Sequence, residues 1–584
     1  MSDASSLSPV QRLFRLLAAE RRDIVYLYIY AALAGVISLS LPLGVQSVIG
    51  FVSSGAVSTS LVVLIGFIVL GTLLVGGLQI MQLHLIEYIQ QRLMARVALD
   101  FAVRLPRVRA ESLEGEYLPE LMNRLLDVPT LQKGLATMLV EFSAAGLQIV
   151  FGLVLLSFYH PIFIVFGLLL VLLLWGLIAA TGPRGLRTSI VESKYKYQVV
   201  AWLEDVARTV GSFRLPARQN LALGRTDELL NSHLSARDAH FRVLVAQSWG
   251  FVIFKTLITA GLLGIGCWLL IDKQINIGQF VAAEIVIIVT INAVEKIILK
   301  IDIVYDALTA IDKIGHVLDL ETVAPPAGTA ALPTGTVTGT EPAPGLTVAV
   351  RDLTYRYPQA TRNVLEGVTF ALAAGDHLAL VGADGGGKST LLRLLAGQLN
   401  GYTGQVAYSG LSLPDLSPDA LAAAVGDSLV HQHLFSGTVL ENITLGQTHL
   451  TAADAAWAVD LVGLRDDLYA HPDGLNSRVG PGYSLGSGAT QKLLLARAVV
   501  SRPRLLLLDA LLPAAALAEQ VRTLRRLVAP DLPWTVIVAT TQPELLALLT
   551  RVAVMDEGKL VAEGTLEELR DSPALRGVLV AGEN

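Results

Sequence analysis

A glycine-rich segment at residues 382–390 contains the residue types that bind phosphate groups. Its order, Gly-Ala-Asp-Gly-Gly-Gly-Lys-Ser-Thr, matches G-x-x-x-x-G-K-[ST] and lies between apolar runs at 377–381 and 391–395. Glycines let backbone N–H groups surround an anion, and the N-terminus of a following helix adds partial positive charge. Lys388 would reach the β- and γ-phosphates, and Ser389 would ligate Mg²⁺. The segment therefore predicts a site for a nucleoside triphosphate.

Such a loop requires a buried strand before it and a helix after it, and the surrounding sequence has both patterns. From residue 346 onward, short apolar runs alternate with helical patterns, which is typical of an α/β nucleotide-binding domain over 346–584. Residues 322–345 are rich in Ala, Pro, Gly and Thr and are predicted to form a linker without a core. The predicted strands are 346–357, 377–382, 404–409, 505–509 and 535–541, with a hairpin across residues 557 and 558.

The composition of the whole chain is that of a membrane protein. Of its 584 residues 53% are hydrophobic and 16% are charged, and the mean hydropathy is +0.57. A net charge of −6 gives no electrostatic footprint for nucleic acid, and the single cysteine, Cys267, excludes an intramolecular disulfide. Six apolar segments each reach the ~20 residues that a helix needs to cross a bilayer. They lie at 24–52, 60–88, 135–158, 161–182, 243–272 and 277–300.

Positive charge is distributed unequally between the connections of these segments. The connections at 53–59 and 159–160 carry no Lys or Arg, and the one at 273–276 carries only Lys273. The long connections carry Arg92, Arg96, Arg104, Arg107, Arg109, Arg184, Arg187, Lys194, Lys196, Arg208 and Arg214. By the positive-inside rule, the long connections, both termini and the nucleotide-binding domain are predicted to be cytoplasmic. The sequence thus predicts a multi-pass protein of the inner (cell) membrane, with an all-α domain over 24–321 whose six helices extend into the cytoplasm.

Residues 1–23 contain an amphipathic pattern before the first apolar segment. Val10, Leu13, Phe14 and Leu17 recur at i, i+3, i+4 and i+7 with arginines around them. This pattern predicts a short helix that lies in the membrane surface. A solvated amphipathic helix that packs on protein is the alternative.

Three charged residues, Glu141, Lys255 and Glu284, fall inside apolar runs, where a charge costs about 2.5–3.5 kcal/mol on insertion scales. One hypothesis is an ion pair between Glu141 and Lys255, which have similar predicted depths. Another hypothesis gives Glu284 a role in a substrate cavity. The alternative for all three is a structural pair or a water-facing position below the membrane. Lys296 and Lys300 are expected to extend to the cytoplasmic interface.

The layout and four further sequence words resemble the ATP-binding cassette (ABC) exporter superfamily along essentially the whole chain. The words are Val-Leu-Glu-Gly-Val at 364–368, Leu-Phe-Ser-Gly-Thr at 434–438, Ala-Arg-Ala at 496–498 and Leu-Leu-Leu-Leu-Asp at 505–509. The resemblance implies a half-transporter in which six membrane helices precede an α/β P-loop ATPase domain that binds ATP and Mg²⁺. The implied nucleotide contacts are Tyr357, Gly382, Gly385, Gly387, Lys388, Ser389, Thr390 and Asp509. Ser389 and Asp509 would hold Mg²⁺, and Tyr357 would stack on adenine.

The resemblance also implies partners. Such exporters work as dimers in membrane lipid, and each nucleotide lies between one subunit's P-loop and the other's signature motif. A homodimer, or a heterodimer with a second half-transporter, is therefore expected. Segments 41–52 and 78–83 are most similar to the type I secretion and bacteriocin-export branch. That branch adds a periplasmic adaptor protein as an expected partner, and no peptidase-like domain is expected before the first span.

Five features depart from the family pattern. Ala510 stands where the family has a glutamate that polarises the attacking water, and a methyl group accepts no proton. Thr541 replaces the histidine that senses the γ-phosphate, and Val430 replaces the Q-loop glutamine, with Gln432 two residues late. The D-loop aspartate is missing from 513–516. The signature Leu-Ser-Gly-Gly-Gln is changed to Leu485, Gly486, Ser487, Gly488 and Ala489.

These departures predict slow or absent hydrolysis at this chain's own P-loop, because phosphoryl transfer needs an oriented water as well as charge neutralisation. Two functions stay open at this point. One is an exporter subunit that takes part, as a dimer, in the export of peptide, protein, lipid or drug. The other is a non-hydrolytic ATP-binding subunit with a structural or regulatory role in a larger heteromeric assembly. The sequence therefore does not decide whether the chain is an ATPase.

Overall fold

A computed structural model describes residues 8–53, 59–108, 121–214, 216–322, 329–332, 344–358, 360–429, 433–469, 472–480 and 485–581. The chain divides into two compact units, the first ending at Thr322 and the second following it. The first unit is built from long helices, and the second contains the β-sheets.

The described helices of the first unit confirm the six predicted membrane spans. They are α1 (Pro9–Ala18), α2 (Arg21–Ser38), α3 (Ser40–Ser53), α4 (Thr59–Arg104), α5 (Val128–Ala136), α6 (Ser143–Ser157), α7 (Ile162–Arg208), α8 (Val210–Phe213), α9 (Pro216–Ile271), α10 (Ile277–Leu299) and α11 (Ile301–Leu318). Six stretches are long and apolar enough to cross a membrane: Arg21–Val52, Thr59–Arg107, Asn123–Ser157, Ile162–Arg208, Asn220–Ile271 and Ile277–Leu318. Four of these stretches run for 42 to 52 residues, which is about twice the length that a bilayer crossing requires, and their extension into the cytoplasm stays a prediction.

The membrane helices bury one set of apolar side chains and leave another set facing outward. Phe163 of α7, Phe254 of α9 and Ile287 of α10 belong to one buried cluster, which joins these three helices. In contrast, Phe67 and Leu73 on α4 are exposed. Apolar surface of this kind is unfavourable in water and is stable against lipid tails.

The N-terminal helix α1 packs on the membrane domain through one face. Leu13 is buried in a cluster with Leu93 and Ile314, and the guanidinium of Arg12 lies 2.5 Å from the carboxylate of Asp319. This contact agrees with the alternative interpretation, in which α1 is a solvated amphipathic helix that packs on protein. Phe14, 66% exposed, lies on the open face, so contact with the membrane surface stays a prediction for this side of the helix.

The predicted ion pair between Glu141 and Lys255 is wrong, because each residue has a different partner on or beside α10. Glu141 lies on a π-helical turn between α5 and α6, and its Oε2 is 2.5 Å from Nζ of Lys300. Lys255, on α9, has its Nζ 3.3 Å from Oε2 of Glu295. Since α10 contacts both the π-helical turn and α9, Glu295 on α10 and Lys300 directly after it lie beside these two charges. Lys300 is thus paired rather than simply extended to the interface.

The second unit contains a six-stranded sheet of order β12-β11-β3-β10-β9-β6 and a four-stranded sheet of order β2-β1-β4-β5. The strands are β1 (Val348–Tyr355), β2 (Leu365–Leu372), β3 (His377–Gly382), β4 (Thr403–Tyr408), β5 (Leu411–Ser412), β6 (Val425–Ser428), β7 (Gly437–Thr438), β8 (Arg478–Val479), β9 (Leu505–Asp509), β10 (Thr535–Ala539), β11 (Arg551–Asp556) and β12 (Lys559–Gly564). The helices are α12 (Lys388–Leu395), α13 (Pro418–Ala424), α14 (Val439–Thr444), α15 (Ala452–Leu461), α16 (Arg465–Tyr469), α17 (Ser487–Val499), α18 (Leu517–Leu527), α19 (Pro543–Leu546), α20 (Leu566–Leu569) and α21 (Pro573–Ala581).

The order of the six-stranded sheet brings the predicted site residues to one edge. Strand β10 lies between β3 and β9 and pairs in parallel with both, with Ala539 opposite Leu380 on one side and Asp509 on the other. These strands are apolar except at one end of each, as expected for strands whose two faces are both buried. The carboxyl ends of β3, β10 and β9 therefore meet where a ligand binds in open α/β sheets.

Candidate nucleotide-binding site

The phosphate loop connects β3 to α12, and two of its glycines have no room for a side chain. A Cβ at Gly382 would lie 2.3 Å from the backbone oxygen of Met555, and one at Gly387 would lie 2.9 Å from the backbone oxygen of Val364. Gly387 also has φ of +94° and caps α12. Glycine is therefore required at both positions, and the loop directs backbone N–H groups and a helix N-terminus toward one opening.

The side chain of Lys388 lies across the loop that precedes it. Its Nζ donates to the backbone oxygens of Gly382 and Ala383, both at 2.8 Å. Burial lowers the pKa of Lys388, while the negative charges of Asp384 and Asp509 act in the opposite direction. A bound phosphate would offer oxygens that are stronger acceptors than these carbonyls, so the ammonium group is positioned for the predicted contact.

The carboxylate of Asp509 lies at the end of β9, is 8% exposed, and has one oxygen, Oδ2, without a hydrogen-bond partner in the described part of the chain. A buried charged oxygen without a partner is costly. A hydrated cation would satisfy it, and Ser389 lies in the same cavity. The donor set of one carboxylate and one hydroxyl fits Mg²⁺, which keeps several waters and binds phosphate oxygens as well.

A cavity of about 450 Å³ is lined both by residues predicted to contact phosphate and metal and by two residues that depart from the family pattern, Ala510 and Thr541. It is lined by Gly382, Gly385, Gly387, Lys388, Ser389, Thr390, Asp509, Ala510, Thr540 and Thr541, together with Val364, Asp384, Gly386 and Ala539. Tyr357 is not part of this lining. Its hydroxyl lies 3.3 Å from Oγ1 of Thr390, so it stands beside the loop, and stacking on adenine stays a prediction.

The segment that follows Asp509 has an unusual backbone. Ala510 and Leu512 have positive φ values of 68° and 46°. A second cavity, of about 360 Å³, borders Asp509 and Ala510 on the side of α17. Gln491 of α17 accepts a hydrogen bond from the backbone N–H of Ala514 at 2.9 Å and so holds this segment. Gln491 was not identified from the sequence, because its role depends on a contact between two distant segments.

The altered signature lies at the start of α17. Gly486 is the residue before the helix, Ser487 is its first residue, and both are exposed. Leu485, Gly488 and Ala489 are half-buried. Contact of this motif with a partner's nucleotide stays a prediction. The Q-loop positions Val430 and Gln432 lie outside the described residues.

A buried hydrogen-bond network connects two of the family-like sequence motifs, residues 434–438 and residues 496–498. The side chain of Asn442, 0% exposed, accepts from the backbone N–H of Phe435 and donates to the backbone oxygens of Phe435 and Thr438 at 3.0 to 3.1 Å. Arg497 donates to the backbone oxygen of Asn442 at 2.7 Å and to its Oδ1 at 3.0 Å. The sequence did not single out Asn442, whose role requires this tertiary contact.

Replacement of Asn442 by alanine is expected to destabilise the nucleotide-binding domain by about 2–4 kcal/mol, because several buried polar groups lose their partners. The thermal unfolding midpoint of the purified full chain measures this loss. Asn476→Ala is the matched control, since Asn476 is exposed in the same domain. An unchanged midpoint for Asn442→Ala would show that the network contributes little.

The geometry defines the class of protein: a P-loop nucleotide-binding domain that follows a membrane domain of six spans. Comparison with known families agrees, since the family described as "ABC transporter" matches residues 365–511 and the one described as "ABC transporter transmembrane region" matches residues 24–294. The chain belongs to the ABC transporter family, as an integral multi-pass half-transporter with the exporter layout. Membership in this family implies ATP binding.

Several known proteins are similar over parts of the chain. The mycobactin import ATP-binding/permease protein IrtB of Mycolicibacterium thermoresistibile is 27% identical over 403 residues, which cover 68% of this chain and 67% of that protein. A multidrug efflux ATP-binding/permease protein of Mycobacterium bovis is 34% identical over 216 residues, which cover 36% of this chain and 18% of that protein. The alpha-hemolysin translocation ATP-binding protein HlyB of Escherichia coli O157:H7 is 24% identical over 63% of this chain and 51% of its own length.

A solved structure of a bacterial Atm1-family ABC exporter with ATP bound has the same fold. Its TM-score is 0.81, and the match covers 97% of this chain and 99% of that one. The sequence identity is 18%, so the likeness establishes the fold.

Proposed function

We propose that this chain is one half of a dimeric membrane exporter that binds Mg-ATP at its P-loop and hydrolyses it there slowly or not at all. The observation that carries the proposal is Ala510, which lies directly after the buried Asp509 in the same cavity as Lys388 and Ser389. Lys388, Ser389 and Asp509, which would neutralise phosphate charge and hold Mg²⁺, line this cavity together. The adjacent position that orients and deprotonates water has a methyl group.

The chemistry follows from what each side chain can do. Mg²⁺, when bound, neutralises charge on the phosphate oxygens. Lys388 would hold the same phosphates, and Asp509 with Ser389 would hold the cation. Ala510 accepts no proton, and the hydroxyl of Thr541, which also lines the cavity, is too weak a base to replace an imidazole or a carboxylate. Binding without turnover is the result.

The export direction and the orientation are part of the same proposal. The basic residues of the long connections support cytoplasmic termini and a cytoplasmic nucleotide-binding domain in the inner membrane. The exporter layout and the translocation named for HlyB support export, while the name of IrtB specifies import for that protein. A type I secretion role would add a periplasmic adaptor, and the substrate would then be a peptide or protein.

The exposed position of the signature supports a dimer. Since Gly486 and Ser487 are exposed, a second cassette can cover its partner's nucleotide with them. We expect the protein in lipid nanodiscs to have twice the chain mass of 62.3 kDa, or the mass of a heterodimer with a co-encoded half-transporter. Mass analysis of the lipid-embedded protein measures this. A stable monomer as the sole species, with and without ATP, would contradict the dimer.

The proposal as a whole is tested by Mg-ATP binding and ATPase activity of the full chain in lipid, alone and with any co-encoded half-transporter. We expect binding in both cases, turnover near background for the chain alone, and modest turnover with an intact partner. In the mixed dimer the activity should disappear when the partner's glutamate is replaced by glutamine. Absence of ATP binding would overturn the proposal.

A further inference from the structure

A polar cavity of about 350 Å³ lies inside the membrane domain, at the predicted depth of the cytoplasmic half of the bilayer. It is bordered by α2, α4, α10 and the π-helical turn with α6 that follows it. Three glutamines, Gln79, Gln82 and Gln148, line it together with Glu141 and Lys296. Polar side chains at this depth are costly, and they mark functional sites unless they are satisfied structurally.

One of these glutamines lacks a structural partner. Gln82 is 2% exposed, and its Nε2 has no hydrogen-bond partner within the described ranges. An unpaired buried amide donor costs roughly 1–3 kcal/mol. A ligand that places an acceptor oxygen in the cavity would remove this cost.

The charges of the cavity leave a cation in excess. Glu141 is already held by Lys300, both of whose contacts to the carboxylate are 2.5 to 2.6 Å long. For Lys296, no ion pair is found in the part of the chain that the structure describes. The neutralised pair and the remaining ammonium therefore give the cavity one net positive charge, which an anionic group would complement.

Most of the other lining residues are small and apolar, with Ser38 as an exception. Ala31, Ala34, Ala144 and Val75 line it, so the space beside the polar groups is shaped for hydrocarbon. Glu141 enters the cavity from the π-helical turn at Thr137–Phe142, a local irregularity that is frequent at functional sites. A ligand with an acceptor-rich anionic head and an apolar body fits both parts of the lining.

We propose that this cavity binds the carboxylate of an apolar molecule, with Lys296 and Gln82 as its contacts. The inference rests on the proposed transport function and adds a class of substrate to it. The carboxylate pairs with the ammonium of Lys296 and accepts from the amide of Gln82. The apolar body lies against the alanines of α2 and α6. A fatty acid and the C-terminus of an apolar peptide both have this chemistry.

Photolabelling tests the proposal on the full chain in phosphatidylcholine nanodiscs without nucleotide. The probes are diazirine analogues of lauric acid and of lauryl alcohol, and the labelled residues are mapped by mass spectrometry. We expect both probes to label segments 31–38 and 140–148, and we expect the acid to reach half-maximal labelling at a concentration at least about tenfold lower than the alcohol. Equal labelling by acid and alcohol would overturn the proposal.

Variants locate the contact. Lys296→Gln and Gln82→Leu should each remove most of the preference for the acid, whereas Lys255→Gln should keep it. Lys255 is the matched control because it is paired with Glu295 and is not part of the cavity lining. Ala144→Leu should reduce labelling by both probes by filling the space. If the Lys296→Gln variant keeps the preference for the acid over the alcohol, Lys296 is not the contact of the carboxylate, and the proposal is contradicted even though the acid binds.

Competition identifies the source of the carboxylate. Displacement of the photoreactive acid by unlabelled laurate supports a lipid substrate, and displacement by unlabelled trileucine supports a peptide substrate. Displacement by neither would contradict a specific site. The labelling does not depend on the phosphate loop, since no nucleotide is present. A failure of this experiment is therefore distinguishable from a failure of ATP binding.

Discussion

Replacement of Lys388 by alanine is expected to weaken Mg-ATP binding by tenfold or more, that is, by more than about 1.4 kcal/mol. The ammonium group of Lys388 now donates to the carbonyls of Gly382 and Ala383 within the phosphate cavity. Alanine removes the cation that would transfer from these oxygens to the phosphates. Calorimetry of the full chain in lipid measures the dissociation constant.

Two further variants separate charge from packing. Lys388→Met keeps the apolar stem and should lose the same affinity as Lys388→Ala, because the charge is what matters. Lys559→Ala is the matched control, since Lys559 is an exposed lysine of the same domain that pairs with Glu366 at 3.3 Å. Its affinity should equal that of the parent protein. Equal affinity for Lys388→Ala and the parent would show that the loop does not hold the triphosphate.

The homodimer is expected to hydrolyse ATP at close to background, because both of its composite sites contain Ala510, Thr541 and the altered signature. Ala510→Glu alone should restore little activity, since residues that act as a unit are not additive. Phosphate release from the purified dimer measures the rate.

A combined variant gives the contrast. Ala510→Glu together with Thr541→His should exceed the sum of the two single variants, because one side chain supplies the base and the other the γ-phosphate contact. Lys388→Ala added to this combination should return the rate to background. A parent homodimer that turns over at about 1 s⁻¹ or faster, as enzymes commonly do, would contradict the expectation. The water would then be oriented by another group, and Gln542, exposed beside Thr541, is a candidate that mutation can test.

The phosphate loop and the membrane spans could be predicted because their signals are local. The backbone of a single turn requires Gly382, Gly387 and Lys388. Each membrane span can be recognised from its own length and hydropathy. The strands that carry the site, β3, β9 and β10, are short continuous apolar runs and were also predicted, although β10 ends at Ala539 rather than at 541. The hairpin of β11 and β12 turns at the predicted residues, where Glu557 and Gly558 have positive φ.

The sequence could not predict how each helix is rotated about its axis or which other helices it contacts. Glu141 and Lys255 have similar predicted depths, but depth does not determine which charged residue lies beside each of them. Lys300, directly after α10, pairs with Glu141, and Glu295 of α10 pairs with Lys255. The role of Asn442 could not be predicted for the same reason, because its partner Arg497 is 55 residues away in the sequence. Strands β2 and β6 were missed because β2 mixes exposed and buried positions and β6 has only 4 residues.

The most direct test of the central claim identifies the nucleotide that the protein holds after incubation. The full-length protein in lipid, without a partner, is incubated with radiolabelled Mg-ATP, separated rapidly from free nucleotide, and extracted. The account predicts that the bound label is recovered as intact ATP in an amount that Lys388→Ala reduces at least about tenfold. Recovery of the label mainly as ADP, with phosphate released in proportion, would contradict binding without turnover at this site.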